Sequence, residues 1–84
     1  MICYPNPVRP EYSGDLHITG VKDQTKIEVC DINNTIIYST ICEGGALTWN
    51  LVTDQGKRLN SGVYIIYGTD SSGKSKVLTK FLII

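Results

Sequence analysis

Apolar and polar residues alternate with a period of two along most of this chain, and that pattern limits the fold more than any other feature. In "DLHITGV", Leu16 and Ile18 fall on one face and His17 and Thr19 on the other. "TKIEVCDI" repeats it, setting Ile27 and Val29 against Lys26, Glu28 and Cys30. "IIYSTI", "ALTWN", "GVYIIYGT" and "KVLTKFLII" follow as further strand segments. "GVYIIYGT" is β-branched or aromatic at nearly every place, which predicts a central strand covered on both faces. No segment places apolar residues at i, i+3, i+4 and i+7 through three turns, so the chain is read as all-β.

Turn chemistry separates these segments. Asn tolerates positive φ, so Asn33-Asn34 reads as a tight hairpin turn, and Gly73 in "DSSGK" occupies the left-handed position of a second one. "EGG" breaks the chain, and "TDQGKRLNSG" is polar enough to be a surface loop. About six to seven short strands at roughly ten-residue spacing predict an antiparallel two-sheet β-sandwich. With 84 residues there is room for one domain, read here as 1–84.

"CYPNPV" fits neither helix nor inner strand. Pro5 and Pro7 have no N–H for a ladder, and they press Tyr4 and Asn6 into extended geometry. The segment is therefore expected along a sheet edge or across its end, where it would shield that edge from another chain.

Eight basic and eight acidic residues cancel, and Lys and Arg form no run, which argues against nucleic acid or an anionic membrane as the main partner. The apolar stretches are too short to span a bilayer, and no secretory leader pattern opens the chain. Met1 runs directly into the first motif, as expected for either a small cytoplasmic protein or a domain from the C-terminal end of a larger exported one, and the second is favoured.

Chemistry-bearing residues are sparse. His17, the lone histidine, has no nucleophile or orienting group near it in sequence and reads as a solvent-facing strand residue. Asp31, Asp54 and Asp70 lie at turns, where a carboxylate accepts backbone N–H bonds, and the loop around Asp54 carries two cations that oppose a metal. Cys3, Cys30 and Cys42 lack CxxC spacing and are read as buried or half-buried thiols, with one disulfide left open to the fold. Tyr64 and Tyr67 fall on opposite faces of their strand, and Trp49 is expected in core or edge packing. Neither "EGG" nor "SSGK" has the spacing or the following helix of a phosphate loop. No nucleophile, base and oxyanion set can be assembled, so neither an enzyme nor any cofactor or metal is expected.

Several motifs occur in a fixed order: "YPNPVRP", Asp31, Gly44-Gly45, Trp49, Gly56 and "SGVY". Together they resemble the C-terminal domains of proteins exported by the type IX secretion system of Bacteroidota, immunoglobulin-like sandwiches that end their chains. They are also similar to the immunoglobulin-like domain of flagellar hook-capping proteins. Within the first family the nearest resemblance is to domains ending β-propeller proteins, including two-component regulators with propeller sensors. Two positions depart from the pattern: Asn34 stands where glycine is expected, and Trp49 is followed by Asn50-Leu51 where Asp-Gly is common.

The resemblance implies a non-catalytic sorting domain that directs its parent through the secretion system, exported to the periplasm, outer-membrane surface or exterior. Its implied partners are the secretion machinery or domains of the parent. Recognition is expected on the last strand pair and the proline segment, at Tyr4, Pro5, Asn6, Pro7, Gly62, Tyr64, Lys76 and Lys80. The alternative is a structural or glycan- or protein-binding module that stays attached to a β-propeller or sensor parent. Aromatics in a concave patch would favour glycan, and a flat apolar patch would favour docking.

Overall fold

The computed structural model describes residues 2–84; Met1, on which the reading of the chain's opening rests, lies outside the described residues. Seven strands form two sheets: β1 (Ile2–Tyr4), β2 (Leu16–Thr19), β3 (Thr25–Cys30), β4 (Ile36–Cys42), β5 (Ala46–Trp49), β6 (Gly62–Thr69) and β7 (Ser75–Ile83). One sheet has the order β1-β2-β5 and the other β4-β3-β6-β7, with every strand pair antiparallel. The expected all-β sandwich is the observed one.

Alternation decides which side chains meet between the sheets. Leu16 and Ile18 of β2 face Ile27 and Val29 of β3 and Tyr64 and Ile66 of β6 across one buried cluster, completed by Cys42, Trp49 and Phe81. Loop residues Val8, Val21 and Leu51 close its ends. Each large apolar side chain fully buried there contributes roughly 1.5–3 kcal/mol. Trp49 stacks on Tyr38 at 4.5 Å and meets the edge of Phe81 at 6.2 Å, while its indole N–H donates to the Val52 carbonyl at 2.9 Å. Its polar end is thereby satisfied inside the core.

Three five-residue loops share one design. In Asp31–Thr35, Thr53–Lys57 and Asp70–Lys74, the first residue's N–H donates to the fifth residue's carbonyl and the fourth residue's N–H to the first carbonyl. The fourth residue has positive φ each time: Asn34 at 64°, Gly56 at 83° and Gly73 at 85°. A side-chain oxygen of the first residue then accepts from the third and fifth N–H groups. Asn34 thus stands where the resemblance predicts glycine, at a position Asn tolerates. The expectation for Asp54 is corrected: Thr53 supplies the capping oxygen, and Asp54 contributes its backbone N–H to the Ile37 carbonyl.

Two further expectations are revised. β6 is central but covered on one face only: Tyr64 and Ile66 are buried, while Val63 is exposed and Ile65 and Tyr67 are half-buried on the other side. Cys30 lies on the outward row with Lys26 and Glu28 yet is buried, next to a register slip between Val29 and itself. All three cysteines are free thiols.

Candidate functional site

The proline segment joins the two sheets along one flank. β1 ends at Tyr4 on the edge of the three-stranded sheet, and four residues later Val8 forms a parallel bridge to Ile83 on β7. Val8 N–H donates to the Leu82 carbonyl at 2.7 Å, and Ile84 N–H donates to the Val8 carbonyl at 2.9 Å. Between them Asn6 uses both ends of its amide: Nδ2 donates to the Lys80 carbonyl at 3.2 Å, and Oδ1 accepts from Leu82 N–H at 3.1 Å. Because prolines on either side donate nothing, the Asn6 side chain does the pairing that a backbone would otherwise do. The strap therefore occupies the free edge of β7 from Lys80 to Ile84, as expected of an edge guard.

Beside the strap lies the outer face of β6 and β7. Register pairs Val63 with Leu82, Ile65 with Lys80 and Tyr67 with Val77. Val63 and Leu82 are each 40% exposed and Val77 51% exposed, so an apolar strip faces solvent with the Lys80 ammonium within it.

The eight predicted recognition residues do not form one patch. Tyr64 points inward, 7% exposed, stacks on Phe81 at 5.4 Å and donates its hydroxyl to the Asn60 carbonyl at 2.8 Å. That is the tyrosine corner of immunoglobulin-like sandwiches, a clamp between a loop and the strand that follows it. Gly62 begins β6 with φ 153°, a conformation side chains rarely adopt, so its place in "SGVY" is set by the backbone. Tyr4 faces outward from the other sheet and stacks on His17 at 5.0 Å. Asn6 and Lys80 meet directly, with Pro5 and Pro7 half-buried beside Asn6.

Lys76 and Lys80 separate for a local reason. Four residues apart on a regular strand they would share a face. A register slip between Ile66 and Tyr67 leaves Leu78 as an extra residue, so Lys80 pairs with outward Ile65 while Lys76 pairs with inward-facing Gly68. Lys76 instead lines a cleft of about 200 Å³ at the sandwich end with Lys22, Lys74, Asp70, Gly68 and Leu78. Leu78 fills the space a side chain at Gly68 would need; a Cβ there would lie 2.8 Å from Leu78 Cδ1.

Val63, Ile65 and Leu82 were not singled out in the sequence. Their signal was present as apolar residues at odd positions of β6, but an edge-to-edge apolar run reads equally well as a strand buried on both faces. Electrostatics add no reactive group. Burial pushes the Cys3 thiol up to about 11 and raises Cys30 as well, which leaves both protonated and unreactive at neutral pH. Among the described residues no three of His, Cys, Asp and Glu gather as a metal site would require.

The family model described as "Secretion system C-terminal sorting domain" matches residues 2–84. No curated protein matches the chain. Among solved structures, that of PorZ, an essential bacterial surface component of the type-IX secretion system of Porphyromonas gingivalis, superposes with a TM-score of 0.85 at 33% identity, covering 99% of this chain and 11% of PorZ. The two-sheet, seven-stranded fold agrees with that assignment. The chain belongs to the secretion system C-terminal sorting domain family, whose members are sorting signals for type IX secretion.

Proposed function

We propose that this β-sandwich directs a larger exported parent protein through the type IX system, and that its address is read on the outer face of β6 and β7 beside the proline strap. One observation carries the choice of surface. The exposed pair Val63–Leu82, with half-buried Ile65 and exposed Val77 on the same face, forms an apolar strip around Lys80 on the outside of a sheet whose other face already holds the core. Their cross-strand pairing supports the sheet only modestly, and the apolar area they leave exposed suits docking to another protein. Tyr64 and Gly62 act beneath this surface by holding the start of β6 in place. Asn6 acts at its border by fixing Lys80 and Leu82, and Tyr4, Pro5 and Pro7 belong to the same strap. Lys76 lies on another surface and is assigned no part in recognition.

The flat geometry favours protein docking over glycan binding, because the exposed aromatic, Tyr4, is stacked on His17 rather than set in a concavity. The test is a fusion of this domain to a periplasmic reporter in a bacterium with a working type IX system. Delivery outside the cell is expected, and the mass of the delivered reporter then tells whether the domain is removed or kept. Reporter held in the periplasm with the domain folded and intact would sink the reading.

A further inference from the structure

The two flanks of the sandwich are unequal. The strap covers the β7 edge, but on the opposite flank β4 is the last strand of its sheet. β4 reads IIYSTIC, with neither charge nor proline, the usual protections of an edge. Protection is present only at its beginning, where the register slip leaves Ile37 unpaired as the extra residue and the Asp54 N–H occupies the Ile37 carbonyl at 3.0 Å. Beyond that the strand is regular. The Cys42 carbonyl accepts from Gln24 N–H at 2.7 Å, on the side of β3. Backbone groups alternate sides along a paired strand, so Tyr38, Thr40 and Cys42 bond β3 while Ser39 and Ile41 direct N–H and C=O away from the sheet.

We propose that this edge pairs with the same edge of a second copy of the chain, antiparallel about a two-fold axis, with Ser39 opposite the partner's Ile41. Free backbone groups and, more weakly, charges whose strands lie about 14 Å apart favour a second copy in one register. On the outer face Lys26 neighbours Ile41 and Glu28 neighbours Ser39. Pairing Ser39 with the partner's Ser39 would align the two Glu28 side chains and call on Ile37, whose carbonyl is already taken. Pairing Ile41 with the partner's Ile41 would align the two Lys26 side chains. The intermediate register gives the row Lys26, Ile41, the partner's Ser39, the partner's Glu28, with opposite charges at its ends and none on the paired strands. Two residue pairs then each exchange two backbone hydrogen bonds, and one continuous sheet crosses both copies. Ile41, 54% exposed in the single chain, becomes partly covered.

So short an interface lies below the area of a stable dimer, which places the association on the order of hundreds of micromolar. Sedimentation velocity from about 10 µM to about 1 mM covers that range. The expected result is a mass rising from 9.3 kDa towards twice that value. Amide exchange should slow with concentration at Ser39 and Ile41, whereas Tyr38 and Thr40 are protected throughout. Ser39→Pro removes an N–H that β3 does not use, and Ile41→Lys places a charge beside Lys26; both should remain monomeric across the range. If Ser39→Pro fails to fold, Ile41→Lys carries the test alone. A monomer at every concentration, or a dimer that persists in Ile41→Lys, would overturn the proposal. So would concentration-dependent changes at Val63 and Leu82 in place of Ser39 and Ile41, since they would place the contact on the β6–β7 face.

Discussion

Asn6 and Leu82 are joined by a hydrogen bond of 3.1 Å although they stand 76 positions apart. The other end of the same amide reaches the Lys80 carbonyl, so one side chain near the start of the chain holds the final strand along its edge. This explains an asparagine between two prolines: a residue with both a donor and an acceptor is needed where the backbone on either side offers no N–H.

Asn6→Ala should therefore destabilise the domain by about 1–2 kcal/mol, the sum of two exposed hydrogen bonds. Urea unfolding measures the loss, and amide exchange locates it: Leu82 should exchange faster while Tyr64, deeper in the sheet, changes less. Asn6→Asp keeps the acceptor and loses the donor, so it should retain the Leu82 bond alone. Equal stability of all three proteins would remove the strap from the account.

Leu51 presents an inverted substitution series. It is 1% exposed in the core and has φ 62°, at the position where the family commonly has glycine. Leu51→Ala creates a cavity and keeps the left-handed backbone, which predicts a loss of about 3–4 kcal/mol. Leu51→Gly loses one further buried methyl group, worth about 0.8 kcal/mol, but relieves a left-handed backbone cost of roughly 1–2 kcal/mol. The glycine variant should be the more stable of the two by thermal melting, the reverse of their usual order in a strand. An alanine variant that melts higher would show that Leu51 does not carry that backbone cost.

The tyrosine corner links stability to alkaline pH. Burial raises the Tyr64 phenol above its ordinary value, with the Asp31 charge adding to the effect, and burial alone raises Cys3 to about 11. Both are acids whose folded-state pKa exceeds the unfolded one, so the unfolded chain loses protons first and stability falls as pH rises above about 9. Tyr64→Phe should cost about 1 kcal/mol at neutral pH through the lost Asn60 bond and should reduce the alkaline slope, as should Cys3→Ala. Parallel pH curves for wild type and both variants would contradict this assignment.

At the acidic end the loops respond. The Ser72 hydroxyl and then the Lys74 N–H hold the Asp70 carboxyl below its ordinary value, and the Gly44 N–H does the same for Asp23. Their folded pKa values are depressed, so their stabilisation is complete above about pH 4 and is lost as pH falls through the folded values. Asp70→Asn should flatten part of that acid limb in a melting series, and an unchanged limb would assign it elsewhere.

Much of this architecture was legible because it depends on local rules. Leu16 and Ile18 against His17 and Thr19, and the left-handed turns at Asn34 and Gly73, follow from side-chain period and backbone sterics. The proline strap followed from missing donors, though β1 beside it is too short to show a period. What escaped depends on register. A single extra residue at Leu78 sends Lys76 and Lys80 to different surfaces, and no composition signal marks the slip. Thr53 obeys the same loop grammar as Asp31 and Asp70 but was overshadowed by the adjacent Asp54 carboxylate. The apolar strip on β6 could not be told from a two-sided core strand, because both are spelled with Val, Ile and Tyr.

The most direct measurement is the fraction of reporter that reaches the cell surface when fused to the wild-type domain, to a Val63→Lys/Leu82→Lys variant, and to a Thr48→Lys control on the other sheet. Unfolding midpoints are first matched, so that a lost fold is not read as a lost address. The account predicts surface delivery by the wild type and the control, and a fall of about tenfold or more for the β6–β7 variant, as expected when charge is placed in an apolar docking face. Full delivery by that variant would contradict the assigned surface, and failure of the wild-type fusion would contradict sorting by this domain altogether.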